Sequence, residues 1–149
     1  MKQLALMFFC ALLLTGCTDE KNQYEEHVLK LMQTDQDLID YKLDPEETTN
    51  CVVDMSGKNM IGFVSWDPRR APIYLAYTRL IQFKLSLTTL SNQEEKNTQT
   101  DPRNELNELR EIFGSAKALA DAHRNFSDSV FGCFESLTSK TDPDSEKLF

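Results

Sequence analysis

From Ile73 to Leu90 the apolar residues Ile73, Ala76, Leu80, Phe83, Leu87 and Leu90 step by three, four, three, four and three positions. That spacing places all six on one side of an α-helix, whereas a strand, whose side chains alternate, would scatter them over both faces. Tyr74, Tyr77, Ile81 and Leu85 widen the stripe, so this helix is expected to be the central and most buried one. Leu106, Leu109, Phe113, Ala116, Ala120, His123, Val130, Phe134 and Leu137 continue the same pattern, with Ile112, Leu119, Phe126 and Cys133 beside them. A straight helix over 102–138 would measure about 55 Å. The other helices cannot cover that length, so a bend is expected near Gly114 or around Asn125 to Ser129.

Upstream, Asn22 and Glu25 have the form of a capping box, and Tyr24, Val28, Leu31, Leu38 and Tyr41 mark an amphipathic helix reaching Leu43. Asp44-Pro45-Glu46-Glu47 then reads as an N-cap, a proline at the first helical position and acids that favour the helix dipole. The short helix that follows carries Cys51, Val52 and Met55 and is expected to stop at Ser56-Gly57. Asp67-Pro68 or Ala71-Pro72 opens the Ile73–Leu90 helix, and Asp101-Pro102 opens the last one. The stretch 57–66 has β-like residues but no second run to pair with, so an ordered loop plugging one end of the fold is expected. Residues 91–100 contain no apolar side chain and should form a solvated loop. The expected fold is therefore all-α, a small bundle of three to four helices with antiparallel neighbours.

Ahead of this pattern, Lys2 precedes an unbroken apolar run of eleven residues, Leu4 to Leu14, which ends at Thr15-Gly16-Cys17. As a helix the run rises about 16 Å, roughly half the hydrocarbon thickness of a bilayer, so it has the form of an export signal and not of a permanent span. Leu14-Thr15-Gly16-Cys17 resembles the lipobox of bacterial lipoproteins, an aliphatic residue and two small ones before a cysteine. The resemblance implies cleavage after residue 16, with Cys17 taking a diacylglycerol and acyl chains such as palmitate as the new N-terminus. It also implies anchorage in the cell envelope. Each buried methylene contributes about 0.8 kcal/mol, and two or more chains make such an anchor durable. Thr18 stands where an aspartate resembles an inner-membrane retention signal in enteric bacteria, which favours the periplasmic face of the outer membrane. The expected organisation is a signal peptide over 1–16, a lipidated N-terminus and tether over 17–22, a helical domain over 23–138 and a flexible tail over 139–149.

Export is consistent with the cysteine count. Cys10 leaves with the signal and Cys17 is acylated, so Cys51 and Cys133 remain and, in an oxidising compartment, are expected to pair as a structural disulfide. They lack the Cys-x-x-Cys spacing of a redox pair.

Catalytic patterns are scarce. His27 and His123 lie on different expected helices, His123 on the apolar stripe, where a packed, hydrogen-bonded histidine is expected. Glu25, Glu26 and His27 are consecutive and point in different directions from a helix, and Asp35, Asp37 and Asp40 fit no calcium loop. No metal, no cofactor and no enzymatic activity are therefore expected. A net charge of −8 disfavours nucleic acid, whose phosphates are bound by clustered Lys and Arg.

Trp66, Arg69 and Arg70 stand out because two arginines occupy a helix start, the end at which the dipole disfavours cations. They are the candidate partner-binding corner, Trp and Arg being enriched at interface hot spots. Neutralisation by Asp67 with Trp66 packed inward is the alternative. The function expected from these features is a lipid-anchored periplasmic module that holds a protein partner, either at this corner or in a groove accepting an amphipathic helix. Two alternatives are a carrier or sensor of a small apolar ligand, with Phe113, Phe126, Phe131 and Phe134 around a cavity, and an inhibitor or immunity protein using its acidic surface.

Overall fold

The computed structural model describes residues 19–60, 70–91 and 101–141, so the signal, Cys17, Trp66 and Arg69 lie outside the described residues. The fold is all-α. Its helices are α1 (Asp19–Gln33), α2 (Gln36–Asp40), α3 (Pro45–Asn59), α4 (Arg70–Ser91), α5 (Pro102–Ile112) and α6 (Ala116–Thr141). None of the described helices is long and apolar enough to cross a membrane.

Local chemistry explains most boundaries. Asp44 and Asp101 cap α3 and α5 by accepting from Glu47 N and Arg103 N, each with proline in the first turn, as expected. Helix α1 starts at Asp19 and not after Asn22, with Asp19 and Glu20 complementing the dipole, so the helical body begins within the expected tether. The expected single helix to Leu43 is instead broken at Thr34-Asp35. The Asp35 carboxylate accepts from Asp37 N and Leu38 N and starts α2. At the end of α2, Lys42 has φ 54°, Leu43 N donates to Leu38 O and Lys42 N donates to Ile39 O. These paired bonds form a Schellman motif, closed by the buried Leu38 and Leu43, with a lysine where glycine is usual.

Helix α3 runs through Ser56-Gly57 to Asn59, beyond its expected stop, because both residues are buried against neighbouring helices. Gly114, at φ 81°, separates α5 from α6, and Ser115 then caps α6 by accepting from Ala118 N. The other candidate break, Asn125 to Ser129, is continuous helix, which extends past Thr138 to Thr141. Thr138 there donates to Phe134 O and keeps its hydroxyl satisfied within the helix.

Packing centres on α1, which lies along both α3 and α4, while α6 packs on α3 and α5 bridges α4 and α6. The expected central role of α4 is thus shared with α1. Tyr24 meets Tyr74 and Tyr77, and His27 reaches Gln82, so residue numbers rise together and α1 and α4 run parallel. By the same test α3 opposes them, since Tyr24 near the start of α1 bonds Ser56 near the end of α3. The antiparallel expectation therefore fails for α1 and α4, while it holds for α3 against both.

Cys51 and Cys133 form a disulfide joining α3 to α6, with Cα atoms 5.9 Å apart. Beside it Gly132 lets the helices approach closely, since a Cβ there would stand 3.2 Å from Met55 Sδ. The interior is not wholly apolar. Tyr24 and Ser56 share a 2.9 Å hydrogen bond, and the Asn125 amide donates to both Ser56 O and Tyr77 Oη, tying α1, α3, α4 and α6 together. Burial pushes the Tyr24 phenol well above its ordinary range, against a smaller lowering from Ser56, and burial likewise raises Tyr77.

Candidate functional site

The face of α6 that buries itself is Leu119, Ala122, Phe126, Ser129, Cys133 and Leu137. The stripe read from the sequence runs beside it: Ala116, Ala120, His123, Val130 and Phe134, to which Ser127 belongs by position, step by four or three residues and none is fully buried. His123 is accordingly exposed and not packed in the core. Partial burial, and then Lys84 nearby, lower its proton affinity.

These six positions line a groove whose opposite wall is α4, through Leu80, Phe83, Lys84 and Leu87. The groove has two parts. One, of about 480 Å³, is bounded by Leu31, Met32, Asp35, Asp37 and Leu38 from α1 and α2 together with Phe126, Val130, Phe131 and Phe134. The other, of about 610 Å³, is bounded by Leu106, Leu109 and Arg110 of α5 together with Ala116, Leu119, Ala120, His123 and Arg124. Lys84, Leu87 and Ser127 belong to both, so the two are continuous. The groove is open to solvent: Leu87 is 41% exposed and Phe131 63% exposed. Lys84 holds its ammonium 5.0 Å from the centre of the Phe126 ring, and burial of the side chain lowers its pKa.

The four phenylalanines considered for an internal cavity do not enclose one among the described residues. Phe126 is core, Phe113 stacks edge-on against Tyr77, and Phe131 and Phe134 flank the open groove.

Of the candidate corner, Arg70 alone is described. Its guanidinium donates to Tyr74 Oη at 2.7 Å and approaches the same ring, 5.3 Å from the centroid, while lying over α3 at Gly57. It also borders a polar recess of about 470 Å³ with Lys21, Glu25, Asn50, Asp54 and Lys58, in which Lys58 pairs with Asp54 at 2.7 Å. Arg70 is thus part of the packing between α3 and α4. Among the described residues no group of three or more His, Cys, Asp or Glu side chains could hold a metal ion.

The sequence suggested a groove for an amphipathic helix but not its residues, because an apolar stripe at heptad spacing reads as core whether or not the chain supplies a helix to face it. A signal for it was present, since Ala116, Ala120, His123 and Ser127 are small or polar for a core seam. Comparison with protein-family models, with curated proteins and with solved structures returns no match for the chain.

Proposed function

We propose that this chain is a lipid-anchored envelope protein that binds an amphipathic helix of another protein in the α4–α6 groove. The observation that carries the reading is the unfilled seam. Leu80, Phe83 and Leu87 on one wall and Ala116, Ala120, Ser127, Val130 and Phe134 on the other have the three-and-four spacing by which helices interlock. An added helix would bury the exposed Leu87 and Phe131.

Anchorage fits this arrangement. Only Thr18 separates Cys17 from α1, and two peptide units reach at most about 7 Å, so an acylated Cys17 would hold the start of α1 against the bilayer. Leu31 and Met32, on the groove, lie about 20 Å further along α1. Confinement to a surface raises the effective concentration of a partner in the same envelope, so a modest interface suffices there. The activity is binding, with no chemical step. Metabolic labelling with palmitate followed by fractionation tests the anchor: label and membrane association are expected for the natural chain and lost in Cys17→Ser, whereas an unlabelled natural chain released without detergent overturns it.

A further inference from the structure

The groove is electrically polarised along its length. Its α1–α2 end carries two carboxylates, Asp35 and Asp37, Lys84 stands where the two parts meet, and its α5–α6 end carries Arg110, Arg124 and His123 with no lining acid. Asp35 is engaged as the N-cap of α2, and Arg110 donates to Asn107, with no ion pair of its own among the described residues. From Ala116 to Phe134 the α6 wall extends about 27 Å, the length of a helix of roughly 18 residues.

We infer that the occupant is an amphipathic helix of a partner protein with Lys or Arg on its N-terminal half and Asp or Glu on its C-terminal half, lying antiparallel to α4 and α6; this rests on the groove reading above. Side-chain complementarity matches each half to its end of the groove, and the macrodipole sets the direction. Side-chain complementarity puts the cationic half against Asp35 and Asp37 and the anionic half against Arg110 and Arg124. The partner's macrodipole acts in the same sense, placing its positive N-terminus at the carboxylates and its negative C-terminus at the arginines. Cys51 meets Cys133 while Ser56 meets Asn125, so α6 opposes α3 and runs parallel to α4, and an antiparallel occupant opposes the dipoles of both walls. A helix of reversed charge order would either meet like charge at each end or turn round and set its macrodipole against the charges at both ends, and a helix of one sign throughout would be matched at one end only.

Two peptides of identical composition test this, with the same Leu/Ala seam and opposite charge order, each titrated by fluorescence anisotropy against the chain exported with Cys17→Ser. That substitution removes the acylation sulfur and leaves every described residue in place. The peptide with lysines first is expected to bind about tenfold more tightly than its reverse at about 50 mM salt, with the gap shrinking at high salt. Asp35→Asn combined with Asp37→Asn, in which Asn still caps α2, should cut the preference to about threefold or less. Equal affinities, or tighter binding of the reversed peptide, overturn the polarity and leave the groove reading standing. Binding of neither peptide overturns the groove reading and the inference with it.

Discussion

Reducing the Cys51–Cys133 disulfide should cost more stability than any single change on the surface. The bond closes a loop with a sequence separation of 82 residues. In the chain-entropy treatment, freeing such a loop in the unfolded state costs the fold about 4.5 kcal/mol at 25 °C. Native packing changes little on reduction, because both sulfurs remain where α3 and α6 are already brought together by Gly132, Met55 and the Ser56–Asn125 bond. Against the 5–15 kcal/mol typical of a domain, about 4.5 kcal/mol is a large share, and with a urea dependence of about 2 kcal/mol per molar the midpoint should fall by about 2 M. The assay is urea unfolding followed by far-ultraviolet circular dichroism, with and without reductant and each fitted with its own slope. A loss below about 1 kcal/mol would refute the loop-closure account and show that the unfolded chain is already compact around this pair.

Other expectations are local. Gly114→Ala should destabilise by about 1 kcal/mol through backbone strain alone, since φ is 81° and nothing lies within 4 Å of the added Cβ; thermal melting measures it. Lys42→Gly should do the reverse and stabilise by roughly 0.5 kcal/mol, because it relieves a left-handed lysine in the α2 Schellman motif. Stability should be maintained up to about pH 10 and then fall by about 1.4 kcal/mol per pH unit for Tyr24. Unfolded tyrosine ionises from that pH upward while the buried Tyr24 stays neutral. Denaturant titrations at successive pH values read the slope, and Tyr24→Phe should flatten it. Leu87→Asp should leave the far-ultraviolet spectrum and melting temperature nearly unchanged, since Leu87 is 41% exposed, yet abolish peptide binding, whereas Phe126→Ala should cost about 3–5 kcal/mol.

The helical class, the caps at Asp44 and Asp101, the interruption at Gly114 and the cysteine pairing were all legible in the sequence, because each has a short-range signature or follows from counting. Errors arose where two explanations share one pattern. Helical periodicity continues across Thr34-Asp35, so a cap that reorients the chain was hidden by Leu38 and Tyr41 falling in phase with α1. On α6 the spacing of Ala120, His123, Val130 and Phe134 marked a stripe that reads as core, whereas the structure leaves it exposed or half-buried beside the core face. Burial depends on which helices arrive from elsewhere in the chain, and here Leu119, Ala122, Phe126 and Cys133 face them. The Tyr24–Ser56–Asn125–Tyr77 network was illegible because its bonds span 32 to 69 residues of sequence.

The most direct test of the binding role is photocrosslinking in the native host from Leu87 in the groove, compared with Asn104 on the exposed side of α5. The account predicts a discrete adduct from Leu87 that maps, by mass spectrometry of the crosslinked peptide, to an amphipathic helix, and that is absent from Asn104 and lost when Val130 is changed to Asp. No adduct from Leu87 above that from Asn104, or an adduct to a segment without helical apolar spacing, would contradict it.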